Sequence, residues 1–160
     1  MVTFAVNKVH VMNRFCLGIA LLWALVASSQ AQVTSDGEQA RRLLQSAVEY
    51  YRMQGDAALA AFSWQGEFID GQHYVFVVDT QGTMLASGGS LAVLIGRDVS
   101  TLLEPELRTA FARALASEEG RVESAEYRWM NVRDGRVEDK YALLRKVGHH
   151  LVAVGYYREP

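Results

Sequence analysis

Residues 74–87, reading Tyr-Val-Phe-Val-Val-Asp-Thr-Gln-Gly-Thr-Met-Leu-Ala-Ser, constrain the fold more than any other stretch of the chain. Val75, Val77 and Val78 are β-branched and Tyr74 and Phe76 are aromatic, so the run suits a pleated, buried strand. Asp79, Thr80, Gln81 and Gly82 make a tight turn, because Gly82 can take a positive φ at no steric cost. Met84 to Ser87 then returns as a second strand. Successive side chains alternate between faces, which puts Val75 and Val77 together on one of them. A buried hairpin of this kind opens a sheet and carries no catalytic signature.

The flanking segments give the rest of the architecture. From Glu38 to Met53, Leu43, Leu44, Ala47, Val48 and Tyr51 recur at three- and four-residue spacing, the pattern of an amphipathic helix, and Gly55 is a stop. Ala57 to Phe62 reads as a short second helix, and Trp64 to Gly71 as a loop. Pro105 to Ser117 is a further helix: proline is tolerated in a first turn, and Leu107, Ala110, Phe111, Ala114 and Leu115 form one apolar face. Leu91 to Ile95 is a short helix or an irregular crossover. After Gly120 the chain reads as a three-strand meander, with strands at Arg121–Met130, Val137–Val147 and Leu151–Tyr157. Strands that are grouped, not alternated with helices, define an α+β fold with a five-stranded antiparallel sheet.

The first 31 residues have the three parts of an export signal. Arg14 supplies positive charge, Phe15 to Val26 is an apolar run, and Ser29, Gln30 and Ala31 offer a cleavage site. The run is shorter than the roughly 20 apolar residues of a membrane span. The expectation is a periplasmic or secreted protein cleaved after Ala31; the rival is an uncleaved anchor. Met12 is a more ordinary signal start than Met1, so translation beginning at Met12 is a variant of the same reading. Of the 160 residues, 129 would remain as one domain spanning 32–160. Cys16, the only cysteine, leaves with the signal, which removes disulfides, thiol nucleophiles and Cys-ligated metals from the mature chain. Losing Lys8 and Arg14 from the 16 basic residues leaves 14 against 18 acidic ones, a balance that argues against nucleic acid as a partner.

Catalytic chemistry is thin. His149 and His150 fall in a turn, and adjacent residues at a strand end point opposite ways, so they do not make a metal pair. His73 precedes a strand, and no spacing of His, Asp or Glu matches a zinc or calcium site. Asp79 is best read as supporting its turn. Ser87 to Ser90 lacks the Gly-x-Ser-x-Gly pattern, and Gly88-Gly89 is too little for a phosphate loop. We therefore expect no enzyme, no metal and no cofactor. Small-molecule binding has more behind it. Tyr127, Trp129 and Tyr141 are large side chains with a hydrogen-bonding tip, while Lys140 and Arg145 lie on a neighbouring strand. Tyr127 and Trp129 are two apart and share a face; Asp139 and Tyr141 flank Lys140 and point away from it.

These residues also carry a resemblance. Phe68, Gly71, Tyr74 and Phe76, then Tyr127, Trp129 and Asn131, then Lys140 with Tyr141, and finally Gly155 and Tyr157 occur in the order found in single-Cache domains, the PAS-like extracytoplasmic sensor modules. The resemblance spans Glu38 to Tyr157. The chain departs from it at Ser87-Gly88, where a His-Pro is common, and at Asp139, where a Pro often precedes the lysine. It implies a PAS-like five-stranded antiparallel sheet crossed by a long N-terminal helix. It further implies a pocket for a small organic ligand, such as a small carboxylate, formed by Tyr127, Trp129, Lys140, Tyr74, Tyr141 and Asn131. Such a domain would act with a membrane receptor or transporter partner, and a homodimer is within the same expectation. The rival function is a structural or interaction module whose pocket is filled by its own side chains.

Overall fold

The computed structural model describes residues 35–64, 66–130 and 134–157. The export segment and Asn131 lie outside them. Helix α1 spans Asp36–Gln54 and ends at Gly55, with Ala40, Leu43, Leu44, Ala47, Val48 and Tyr51 buried along one face. That is the stripe its three- and four-residue spacing implies. A 3-10 turn at Gly55–Ala57 leads into α2, Ala58–Trp64. A second 3-10 turn, Gly66–Phe68, precedes the two-residue strand β1, Ile69–Asp70. The hairpin follows as β2, His73–Asp79, and β3, Met84–Ser87. A 3-10 helix at Gly89–Leu94 resolves the Leu91–Ile95 alternative in favour of a tight helix. Helix α3 is Pro105–Ala116, and the meander is β4, Val122–Met130, β5, Val137–Val147, and β6, His150–Tyr157.

The fold is α+β, with all strand pairs antiparallel and the order β1-β2-β6-β5-β4. β3 also pairs with β2. The five strands expected from the sequence are therefore joined by a sixth, β1, which is too short to leave a periodic signature. Asp79 supports the β2–β3 turn as expected: its Oδ1 accepts from the backbone N–H groups of Gln81 and Thr83, each at 2.8 Å. Gly82 has φ +91°, and a Cβ there would lie 2.9 Å from the Ser100 Cβ, so no other residue fits comfortably.

Because β2 lies inside the sheet and both of its faces are covered, six of its seven residues, His73 to Val78, are buried. Val75 and Val77 share the face packed by α1 and α2, together with Phe62, Leu143, Val152 and Tyr156. Phe76 and Val78 face the other way, toward Met84, Leu107, Phe111, Leu144 and Leu151. Two polar ties fix α1 to the sheet. The Tyr51 hydroxyl donates to Asp56 at 2.8 Å and meets His150 Nδ1 at 2.5 Å. His150 thus belongs to this tie and not to a solvated turn, whereas His149 is exposed. His73 does not precede the strand but opens it and is buried, and its ring nitrogens lie 3.3 Å and 3.2 Å from the carbonyl oxygens of Asp70 and Asp36.

Candidate functional site

Register across four strands assembles one polar cluster on the α3 face. Tyr127 on β4 is directly opposite Lys140 on β5, and Lys140 is opposite Tyr157 on β6. Gly155, two residues back on β6, is opposite Tyr74 on β2. Lys140 is only 2% exposed, and its stem lies over β6 so that Nζ donates to the Tyr74 hydroxyl at 2.9 Å. Gly155 makes this reach feasible. A Cβ at that position would lie 3.0 Å from Lys140 Cε and 3.6 Å from the Tyr127 hydroxyl. The Tyr157 ring sits 4.9 Å from Nζ, a cation–π distance.

The electrostatics follow from burial. Among the described residues no carboxylate pairs with Lys140, and loss of hydration alone pushes its ammonium down to about 8. Burial raises the Tyr74 and Tyr127 phenols. It also raises Tyr157, with the carboxylates of Glu138 and Asp134 adding to the effect. The tyrosines therefore stay neutral and act as hydrogen-bonding groups. Lys146, on the same face, is a useful control: it donates to the Leu115 carbonyl at 2.9 Å, at the C-terminal end of α3 where cations are favoured.

Lys140, Tyr74 and Tyr157 open into a recess of about 170 Å³ whose rim is Gly71, Gln72, Gly89 and Ser90. Gly88 and Gly89 let the backbone pass tightly over Tyr74; a Cβ on either would come within 3.0 Å of that side chain. Next to it is an apolar crevice of about 20 Å³ between the sheet, the 3-10 helix and α3, lined by Phe76, Leu91, Leu94, Phe111, Tyr127 and Trp129 among others. That volume is about one water. Among the described residues no group of three metal-ligating side chains occurs, and no helix is long and apolar enough to cross a membrane.

The structure brings Lys140, Tyr74 and Tyr127 together. Trp129 packs against Tyr127 edge-on at 6.1 Å but lines the crevice, not the recess. Tyr141 is on the opposite face, stacked on Tyr156 at 5.4 Å with its hydroxyl donating to Glu126 at 3.0 Å. Its side chain is thus part of the α1-side core, because alternation from Lys140 turns it away. Arg145 shares that parity. Tyr157, Ser90 and Gln72 were not singled out for the site; the Gly155-x-Tyr157 ending was the only signal for any of them.

No family model matches this sequence, and a search of curated proteins finds no match. Solved structures do resemble it. A methyl-accepting chemotaxis protein from Vibrio parahaemolyticus is 11% identical over 91% of this chain and 96% of that one, with a TM-score of 0.58. A Cache chemosensory domain, described in terms of carboxylic acid recognition, is 17% identical over 76% and 92%, at 0.59. A periplasmic sensor domain of a chemotaxis protein is 18% identical over 95% and 100%, at 0.52. The fold is therefore like that of these Cache and chemotaxis sensor domains.

Proposed function

We propose that residues 32–160 form an extracytoplasmic sensor domain, exported by a signal cleaved after Ala31, that binds a small organic anion at Lys140 and reports it to a membrane partner. The observation that carries the reading is the buried ammonium of Lys140, held by one tyrosine hydroxyl and facing a recess rimmed by Gln72 and Ser90. A buried cation is costly unless an opposite charge compensates it, and a carboxylate entering the recess would do so. Tyr74, Tyr127 and Ser90 supply hydroxyls near the same point. The role is binding, not catalysis. The carboxylic acid recognition named for the similar Cache domain supports the class of ligand without fixing its identity.

A thermal-shift screen of the purified protein against small carboxylates tests this. A ligand at a hundredfold excess over its Kd should stabilise the fold by about 2.7 kcal/mol. Lys140→Met should abolish the shift, and the affinity should fall as pH rises through about 8, where the free ammonium loses its proton. Unchanged affinity in Lys140→Met would overturn the site. The second reading, an interaction module with a self-filled interior, draws on the near-closure of the apolar crevice; a screen in which no anion binds would favour it. Intact mass of the exported species tests cleavage after Ala31.

A further inference from the structure

We infer that the ligand is a monoanion with an uncharged, apolar tail, its head at Lys140 and its tail directed into the crevice beneath the 3-10 helix; this rests on the reading of Lys140 as an anion site. Two observations carry it. First, among the described residues Lys140 is the one charged side chain lining either the recess or the crevice. A dicarboxylate would need a second cation, and an amino acid would need a carboxylate for its ammonium; either group left unpaired in a buried site is heavily penalised. Glu138 and Asp134 act on Tyr157 but do not line the recess. Second, Tyr127, which lines the crevice, stands beside Lys140, which lines the recess. The Tyr127 ring lines the crevice, and its hydroxyl is 3.6 Å from the Cβ point of Gly155, which is itself 3.5 Å from Lys140 Nζ. Head and tail sites are thus side by side on a single sheet face.

The crevice as it stands has room for about one water, so a tail must displace its roof. The roof suits that. The 3-10 helix Gly89–Leu94 contains no buried residue, and Val93 within it is 78% exposed. Leu91 and Leu94 are half-buried and rest on the core without being enclosed by it. Segments with few buried apolar contacts open at low free-energy cost. The floor, by contrast, is rigid sheet and α3, where Phe76 stacks on Phe111 at 6.4 Å.

The test is calorimetric titration of the purified protein with straight-chain alkanoates from acetate to octanoate, alongside succinate and alanine, repeated on Lys140→Met. Affinity should rise about fourfold per added methylene while the tail is being buried, and the rise should vanish in Lys140→Met. A flat series, or succinate or alanine binding tighter than the alkanoates, overturns this inference while leaving Lys140 as an anion site. Tail-dependent binding that survives in Lys140→Met is non-specific adsorption and also overturns it. Failure of every anion to bind removes the proposed function itself, and this inference with it.

Discussion

The two faces of the sheet are built to different ends. The α1 face is closed by aromatic contact: Phe62 packs edge-on against Phe68 at 4.8 Å and stacks with Tyr51 at 6.4 Å, while the polar groups it takes in, His73 and the Nε of Arg145, sit at its margins away from any recess. The α3 face has a comparable apolar core but also a buried lysine, a glycine where a side chain would collide with it, and a roof with no buried residue. On the proposed reading, one sheet separates stability from ligand chemistry: the α1 side supplies packing energy, and the α3 side keeps an ammonium whose burial costs energy until an anion arrives.

The largest effect should come from the α1 face. Phe62 is fully buried between α1 and the sheet, so Phe62→Ala should cost about 3–5 kcal/mol in chemical denaturation. A loss below about 1 kcal/mol would mean that this face can collapse around the cavity, and the contrast between faces would fail.

Lys140→Met probes the other face, with the opposite sign. The folded pKa of Lys140, about 8, is below its ordinary 10.5. Below pH 8 the folded state holds a charge it has desolvated, and the penalty is fully present. Between about 8 and 10.5 the folded state releases the proton before the unfolded state does, so stability rises with pH. Removing the charge should thus stabilise the ligand-free protein at pH 7 by up to about 3 kcal/mol, a shift of roughly 2.5 pH units converted at 1.36 kcal/mol each. The advantage should shrink as pH rises toward 10. The raised tyrosines contribute the reverse trend above pH 10, so the comparison is read between pH 7 and 10. A variant less stable than the parent at pH 7 would show that the ammonium is well satisfied where it lies.

How much of this was legible in the sequence differs between the faces in the same way. The apolar stripes of α1 and α3 and the alternation of β2 follow from period alone, and each residue named for them is buried or packed on the core. Gly66–Phe68, β1 and the 3-10 helix Gly89–Leu94 are too short for any period to declare them. The site is a product of register. Lys140, Tyr127, Tyr157 and Tyr74 come from four strands, and nothing local says that Gly155 is where one strand passes under a neighbouring strand's side chain. Alternation did separate Tyr141 from Lys140, because that depends only on neighbours in one strand.

Gly155→Ala should have a smaller effect on stability and a large one on binding. The added methyl would sit 3.0 Å from Lys140 Cε, at the far part of a flexible stem, so the lysine can shift to relieve it. We expect a cost of about 1–2 kcal/mol, in the lower range of overpacking penalties, with loss of the thermal shift given by carboxylates. Retained binding would show that Lys140 does not need to cross Gly155 to reach its ligand.

The smallest effect belongs to the roof. Val93 projects from the 3-10 helix into solvent, so Val93→Ser removes almost no buried surface and should change stability by less than about 0.5 kcal/mol. The same holds for the anion series, since Val93 does not line the crevice. Leu94→Ala, one residue on, sharpens the comparison. Leu94 lines the crevice and is half-buried against the α3-side core, so its truncation enlarges the space a tail would occupy. It should cost clearly less than Phe62→Ala, because the residue is not enclosed and its neighbours can follow it. It should also favour octanoate over acetate relative to the parent. If Leu94→Ala destabilised as much as Phe62→Ala, the roof would be core like the rest, and the division of labour between the two faces would be lost.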